Sequence, residues 1–180
     1  MAEIVSIHIA RKSKIPTESC GRVEVRANFG IEGDCRSGKY QIGQITLIES
    51  EVLDMVSGKL GYGIPAGASR RQIVVKGIAL NELIGKRLRL GIVLVQVIER
   101  CKPCNKMEVM IGPGAKEAMN GKGGVHCRII EGGVLHIGDK ITVDDSGCPY
   151  CAGLSILRFK FIIYIKRLFG RLQRQNYQSI

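Results

Sequence analysis

The stretch ERCKPCNKME, residues 99–108, sets two thiols two residues apart: Cys101 and Cys104, with Pro103 against the second and Arg100, Lys102 and Lys106 around them. Such a pair could bind a metal, close a redox disulfide, serve one nucleophile, or fill space as small apolar residues. With Cys148 and Cys151, four thiolates would satisfy a tetrahedral zinc. However, 43 residues separate the two pairs, against about 15–20 in a zinc ribbon. The C-x-P-C order matches a thioredoxin-like couple, but that motif needs a βαβ setting, and the chain shows no βαβ rhythm. A single nucleophile fits the local charge. Cations this close to Cys104 favour a thiolate over the free thiol, and Pro103 fixes the approach of the chain while removing one backbone donor. Packing as a small apolar residue suits Cys20 or Cys127 better, because their neighbours are less polar.

These thiols follow GIVLVQVI, which reads as a strand. Further strands are expected in MAEIVSIHIA, GRVEVRA, QITLI, RRQIVVKG, KRLRLG, VHCRIIEGG and DKITV. NFGIEGD, residues 28–34, is a glycine-punctuated turn. Ser50 is placed to cap a short helix, EVLDMVSGKLG, that the Gly58 region stops. LNELIG forms one helical turn and GAKEAMNG a second short helix. Many short strands with no long helix point to a closed, mostly antiparallel β-barrel with short peripheral helices.

The chain of 180 residues holds one domain with a real core. Its net charge of +11 is uneven: residues 145–180 hold six Lys and Arg against one Asp. A basic balance suits an anionic partner, but aromatic residues are only 5% and do not alternate with the basic ones. Nucleic acid is therefore not expected. An odd count of seven cysteines, with no charged-then-apolar leader at the start, suits reduced thiols and a cytoplasmic location. Residues 145–180 are expected to form a basic amphipathic extension to a domain at 1–144. Wound as a helix, Leu157, Phe161, Tyr164, Ile165, Leu168 and Leu172 share one face and Lys160, Arg167, Arg171 and Arg174 another. The segment 154–174 is too short and too charged to span a bilayer. It suits either peripheral contact with a membrane or partner, or simple packing on the domain.

In order along the chain, NFGIEGD, QITLIESEVL, AGASRRQIVVKGIALNELIGKRLRLGIVLVQV, CKPCNKME and GKGGVHCRIIEGGVLHIGDKI resemble the segments of the MOSC domain family, named for the C-terminal domain of molybdenum cofactor sulfurase. The resemblance covers residues 1–143 and implies the same barrel. It assigns the family's hallmark cysteine to Cys104 and no hallmark to Cys101. It further implies a sulfur carrier that accepts sulfane sulfur as a persulfide on Cys104 from a pyridoxal phosphate-dependent cysteine desulfurase, then delivers it to a molybdoenzyme or metal-cluster acceptor. The chain has no pyridoxal-phosphate domain, so the desulfurase must be a separate protein. The alternative it implies is a reductase of N-hydroxylated compounds, with molybdenum cofactor bound and Cys104 as the molybdenum ligand. A zinc-stabilised binding module is a third reading. Candidate cradle residues for a phosphorylated pterin are Arg70, Arg71, Lys102 and Arg128, because guanidinium and ammonium groups suit phosphate. Asp34, at the end of the glycine turn, either orients a catalytic group or caps the turn. Two positions depart from the family pattern: Gln72 replaces a frequent Asn, and Arg36 a frequent His. Cys148 and Cys151 inherit no role.

Overall fold

Alternating apolar residues become strands wherever one face can be buried. The structure, a computed structural model, describes residues 1–144. The expected tail helix, its contact surface and the Cys148/Cys151 half of the zinc site lie outside the described residues. The strands are β1 (Glu3–Ile9), β2 (Glu18–Cys20), β3 (Arg22–Arg26), β4 (Gly30–Ile31), β5 (Ile45–Glu49), β6 (Ile73–Lys76), β7 (Arg87–Leu90), β8 (Val93–Arg100), β9 (Val125–Glu131), β10 (Gly133–His136) and β11 (Ile141–Asp144). The helices are α1 (Ser50–Leu60), α2 (Asn105–Ile111) and α3 (Ala115–Ala118), with a 3-10 turn at Leu80–Leu83.

The fold is mainly β, but the expected closed barrel is not what forms. One sheet of eight strands runs in the order β11-β7-β8-β9-β5-β6-β1-β2, and a separate sheet of three runs β10-β3-β4. An isolated bridge from Glu3 to Lys140 brings the two sides of the large sheet together over a short stretch. Backbone bonds flank it, from the Ile4 amide to the Asp139 carbonyl, from Gly138 to Ile4 and from Ile141 to Ala2, each at 2.9 Å, but the contact stays at the first residues of β1, because β2 holds the strand from Ile7 to Ile9.

A second correction concerns topology. β5 and β6 are parallel, and α1 lies between them in the chain, so the protein does contain one crossover of the βαβ kind. The cysteine pair lies outside it, after β8. Helix α1 also starts and stops differently from expectation. Glu49 occupies the cap position without a side-chain cap bond, and the helix runs through Gly58 to end at Gly61, whose φ of 73° is the left-handed conformation that glycine supplies. Helix α2, directly after Cys104, has no counterpart in the expected elements. Its signal was the pair Met107 and Ile111, one helical turn apart, both buried.

The two faces of the large sheet bury different things. Ile7, Ile9, Ile45, Leu47, Ile73, Val125 and Cys127 point to the main core between the sheets. The residues between them point the other way. There Ile48 and Val74 meet Val56 of α1, Met107 and Ile111 of α2, and Met119 just after α3. Each such side chain contributes about 1.5–3 kcal/mol by leaving water. The helices therefore clamp one end of this outer face and leave its other end to polar residues.

Candidate functional site

The polar end of the outer face is a row built from four neighbouring strands or their ends. Thr46 on β5 pairs with His126 on β9. Thr46 also binds Gln72, which precedes β6: the Gln72 side-chain oxygen accepts from the Thr46 amide at 3.0 Å and lies 3.2 Å from its hydroxyl. On the far side the His8 amide of β1 donates to the Gln72 carbonyl at 2.7 Å. His126, Thr46, Gln72 and His8 thus cross about 14 Å of sheet at the usual strand spacing. Thr46, Gln72 and His8 are buried. Two polar atoms of the row lack a hydrogen-bond partner although buried: Gln72 Nε2 and His126 Nδ1.

Cys101 and Cys104 stand near the His126 end. β8 delivers them, and the Cys101 amide donates to the Gly124 carbonyl at 2.8 Å, just before β9. Cys101 is buried and Cys104 is exposed. Cys104 is the residue before α2, and its carbonyl accepts from the amides of Met107 and Glu108 at 3.0 and 3.1 Å. The four residues 101–104 run without turn or bend. In a thioredoxin-like couple the helix starts after the first cysteine; here it starts after the second. Both thiols are free.

Arg71 holds this corner together. It is 4% exposed. Its Nε donates to the Gly123 carbonyl at 2.6 Å, one terminal nitrogen to the Ser69 carbonyl at 3.1 Å and the other to the Lys102 carbonyl at 3.4 Å. The last of these lies between the two cysteines. Burial lowers the Arg71 pKa, and the nearby Cys101 and Cys104 oppose that shift. Burial pushes the Cys101 thiol up, against the charges of Arg71 and Arg36. Cys127, fully buried in the core, is driven up much further and stays a protonated thiol.

The other sequence-derived candidates divide by place. Lys102 is exposed between the cysteines. Arg70 adopts a left-handed φ of 58° and donates to the Ile15 carbonyl at 2.7 Å, beside a small cavity of about 190 Å³ that includes Pro16, Pro65 and Met110. Arg128 is exposed and reaches Asn28 at 3.3 Å. Asp34 is buried, and both carboxylate oxygens accept backbone N–H groups, from Ala10 and Arg36, each at 2.9 Å. It therefore ties the loop after β4 to the end of β1. That loop carries Arg36, whose charge reaches Cys101, Arg71 and His126. Sequence reasoning met Arg36 and Gln72 only as departures from a pattern, and it passed over His126 and Thr46. A larger groove of about 810 Å³ lies against Cys101, Lys102 and Pro103 with Lys116 and Asn120, but Cys104, Arg71 and His126 do not line it.

The glycines before β9 let the cysteine segment sit this close. A side-chain carbon at Gly123 would fall 2.3 Å from the Cys101 carbonyl oxygen and 3.0 Å from the Pro103 ring. Gly123→Ala is expected to cost about 2–4 kcal/mol through that overlap, read as a lower denaturation midpoint with an unchanged slope.

Among the described residues no group of three or more His, Cys, Asp and Glu could hold a metal ion, and no helix is long and apolar enough to cross a membrane. The model of the MOSC domain matches residues 34–142. The chain belongs to the MOSC domain family. The matched region contains Arg36, Thr46, Arg71, Gln72, Cys101, Cys104 and His126, so the whole corner lies inside the domain. Three solved structures have a similar fold. YuaD from Bacillus subtilis superposes with a TM-score of 0.69 at 19% identity, covering 78% of this chain and 94% of its own. YiiM from Geobacillus stearothermophilus gives 0.66 at 22% identity, covering 93% and 86%. YiiM from Escherichia coli gives 0.61 at 18%, covering 82% and 71%. A search of curated proteins gives no match. At these identities the likeness to the solved structures concerns the fold alone.

His126 in this MOSC domain has a distinct acid response. Burial, then the charges of Arg36 and Arg71, lower its pKa from 6.5 to about 4. Between those values the unfolded chain binds a proton that the folded chain refuses, so stability falls as pH drops from 6.5 towards 4 and then levels. Burial lowers His8 in the same direction. Urea midpoints at pH 7 and pH 5 are expected to differ, with part of that difference gone in His126→Phe.

Proposed function

We propose that this MOSC protein is a sulfur carrier of molybdenum cofactor metabolism, with Cys104 taking a sulfane sulfur as a persulfide and passing it to a metal–sulfur centre. The observation that carries this reading is the exposed Cys104 beside the buried, fully tethered cation Arg71. A carrier thiol must reach two partners in turn, which asks for exposure. It must also present its sulfur from a fixed backbone, which Arg71 and the bond to Gly124 provide. The chemistry is attack of a thiolate on an activated sulfur, followed by release of the outer sulfur to a softer acceptor. The donor in this reading is a separate pyridoxal phosphate-dependent cysteine desulfurase, and the acceptor is a molybdoenzyme or metal cluster.

The same residues fit molybdenum cofactor itself. A soft, exposed thiolate at Cys104 suits molybdenum. The charges of Arg36, Arg70 and Lys102 suit a phosphate, and the unpartnered Gln72 Nε2 and His126 Nδ1 offer polar contacts. When bound, that group would supply two-electron redox chemistry.

Incubation with a cysteine desulfurase and cysteine is the test. The expected result is one added sulfur atom per chain, located on Cys104 by peptide mass spectrometry and removed by cyanide. Molybdenum is measured on the same protein, purified from cells that make the cofactor. Stoichiometric molybdenum, lost in Cys104→Ala, together with no sulfur loading, would replace the carrier by a molybdenum-dependent reductase.

A further inference from the structure

The groove beside the cysteine segment takes no part in the reading above. It holds about 810 Å³ and is lined by Arg100 to Pro103, at and after the end of β8, and by residues between Gly114 and Gly121, which include α3. That size falls within the range of small-molecule sites, about 300–1,000 Å³. Gly114 and Gly121 add no side chain to fill it.

The chemistry of the visitor follows from the lining, whose charges are mixed. Arg100 and Lys102 face the groove from the cysteine segment, Lys116 and Glu117 from α3, and Glu108 from α2. Among the described residues none of these five forms an ion pair. Lys116 is steadied by a neutral group, its Nζ donating to Asn105 Oδ1 at 2.7 Å. Glu108 is steadied by backbone, its Oε1 accepting from the Gly114 amide at 2.9 Å. Both charges are thus positioned but not neutralised. A simple anion would leave the two carboxylates unanswered, and an apolar ligand would meet five charges. A zwitterion with carboxylates and an ammonium group answers both signs.

The groove also adjoins the thiol chemistry. Cys101 and Pro103 line it, and Cys104 is the next residue, about 3.8 Å further on from Cα to Cα. Cys104 is exposed, whereas Cys101 is buried, and burial keeps the Cys101 thiol protonated. The stronger nucleophile therefore stands at the edge of the groove, where a ligand lying along the cysteine segment ends.

We propose that this groove binds an amino-acid or short-peptide persulfide, R–S–SH, with Arg100, Lys102 and Lys116 on its carboxylates and Glu108 and Glu117 on its ammonium group, and that its outer sulfur passes to Cys104. This rests on the carrier reading of Cys104 and adds a small-molecule donor to it. The Cys104 thiolate attacks the outer sulfur. A new S–S bond forms to Cys104 and the old one breaks. Its electron pair leaves on R–S⁻, and the proton stays with the transferred sulfur. No oxidant or reductant is consumed.

The test compares glutathione persulfide, which carries carboxylates and an ammonium group, with the persulfide of 2-mercaptoethanol, which carries neither. Cys104 is expected to load from both, the glutathione form saturating at lower concentration. Lys116→Glu reverses one charge of the groove, and Asn120→Trp places an indole in it. Both positions are exposed, so both variants are expected to fold. In each, the ratio of kcat/KM for the two persulfides is expected to fall about five-fold or more, the size of an exposed ion pair lost. Added salt is expected to lower the same ratio in the wild type. Binding is read without reaction by titrating S-methylglutathione into isotope-labelled Cys104→Ala. Nuclear magnetic resonance is expected to show the amides of residues 100–103 and 114–121 shifting. Loading from both persulfides with an unchanged ratio in both variants would overturn the proposal and leave the carrier reading intact, as would amide shifts confined to other residues. Sulfur arriving from glutathione persulfide on Cys101 in place of Cys104 would overturn the transfer step. Failure of Cys104 to load from either persulfide or from a desulfurase would remove both readings.

Discussion

Cys104→Ala is expected to abolish sulfur loading while leaving the fold almost untouched. The side chain is exposed, and what the residue gives the fold is its backbone: the carbonyl that starts α2 by accepting from Met107 and Glu108. Alanine keeps that carbonyl. The stability change should therefore stay within about 0.5 kcal/mol, and circular dichroism and the melting temperature should match the parent. Cys101→Ala is expected to differ in both respects. Its thiol is buried, so its removal loosens packing, and loading is expected to slow without disappearing. Peptide mass spectrometry after desulfurase treatment distinguishes the two. Equal loss of loading in both variants would mean that the cysteines act as a couple.

Arg71→Met is expected to damage both the fold and the site. Methionine approximates the length of the side chain but leaves the carbonyls of Ser69, Lys102 and Gly123 without their donor. The expected loss is about 2–4 kcal/mol. Against a usual total of about 5–15 kcal/mol, the variant should still fold. Its urea midpoint falls, and loading of Cys104 slows by about ten-fold or more because the segment carrying the thiols is no longer held. Arg71→Lys separates charge from geometry. It restores a cation but not the planar fork that reaches three carbonyls at once. A Lys variant with wild-type loading would reduce Arg71 to a point charge; one resembling Met would establish it as the brace of residues 102 and 123.

How far the sequence reveals this molecule depends on whether the signal is local. The strands were legible because alternation is local: Arg22–Arg26 shows it, exposed, buried, exposed, buried, exposed. Cys104 could be singled out as a candidate because its charged neighbours and Pro103 adjoin it in the chain. Arg71 could be named as a cation in a matched block, but not as a brace, because its partners lie at 69, 102 and 123. Helix α2 was missed because it is only seven residues long, with polar residues at its start that read as loop. The parallel pairing of β5 and β6 was missed because a short helix followed by a long glycine-rich stretch gives no visible βαβ rhythm. Closure into a barrel was expected from strand number. Yet closure depends on how far the edge strands pair, and β1 meets the other side only around Glu3 and Lys140. Thr46 and His126 had no signal at all, since a buried threonine and a half-buried histidine within strands look like ordinary alternation.

The row of His8, Thr46, Gln72 and His126 also sets a condition on how the protein comes to function. Those four positions are spread over most of the domain sequence, and each strand between them must find a distant partner before the row exists. Contacts this far apart in sequence form slowly, and the outermost pairing, β9 with β5, joins residues some eighty positions apart. His8, Thr46 and Gln72 are joined through β1, β5 and β6 within the first half of the chain, and only His126 waits for β9. The row is complete only once β9 has docked on β5, and a chain arrested before that step would carry an exposed Cys104 with the Gly123 anchor of Arg71 still missing.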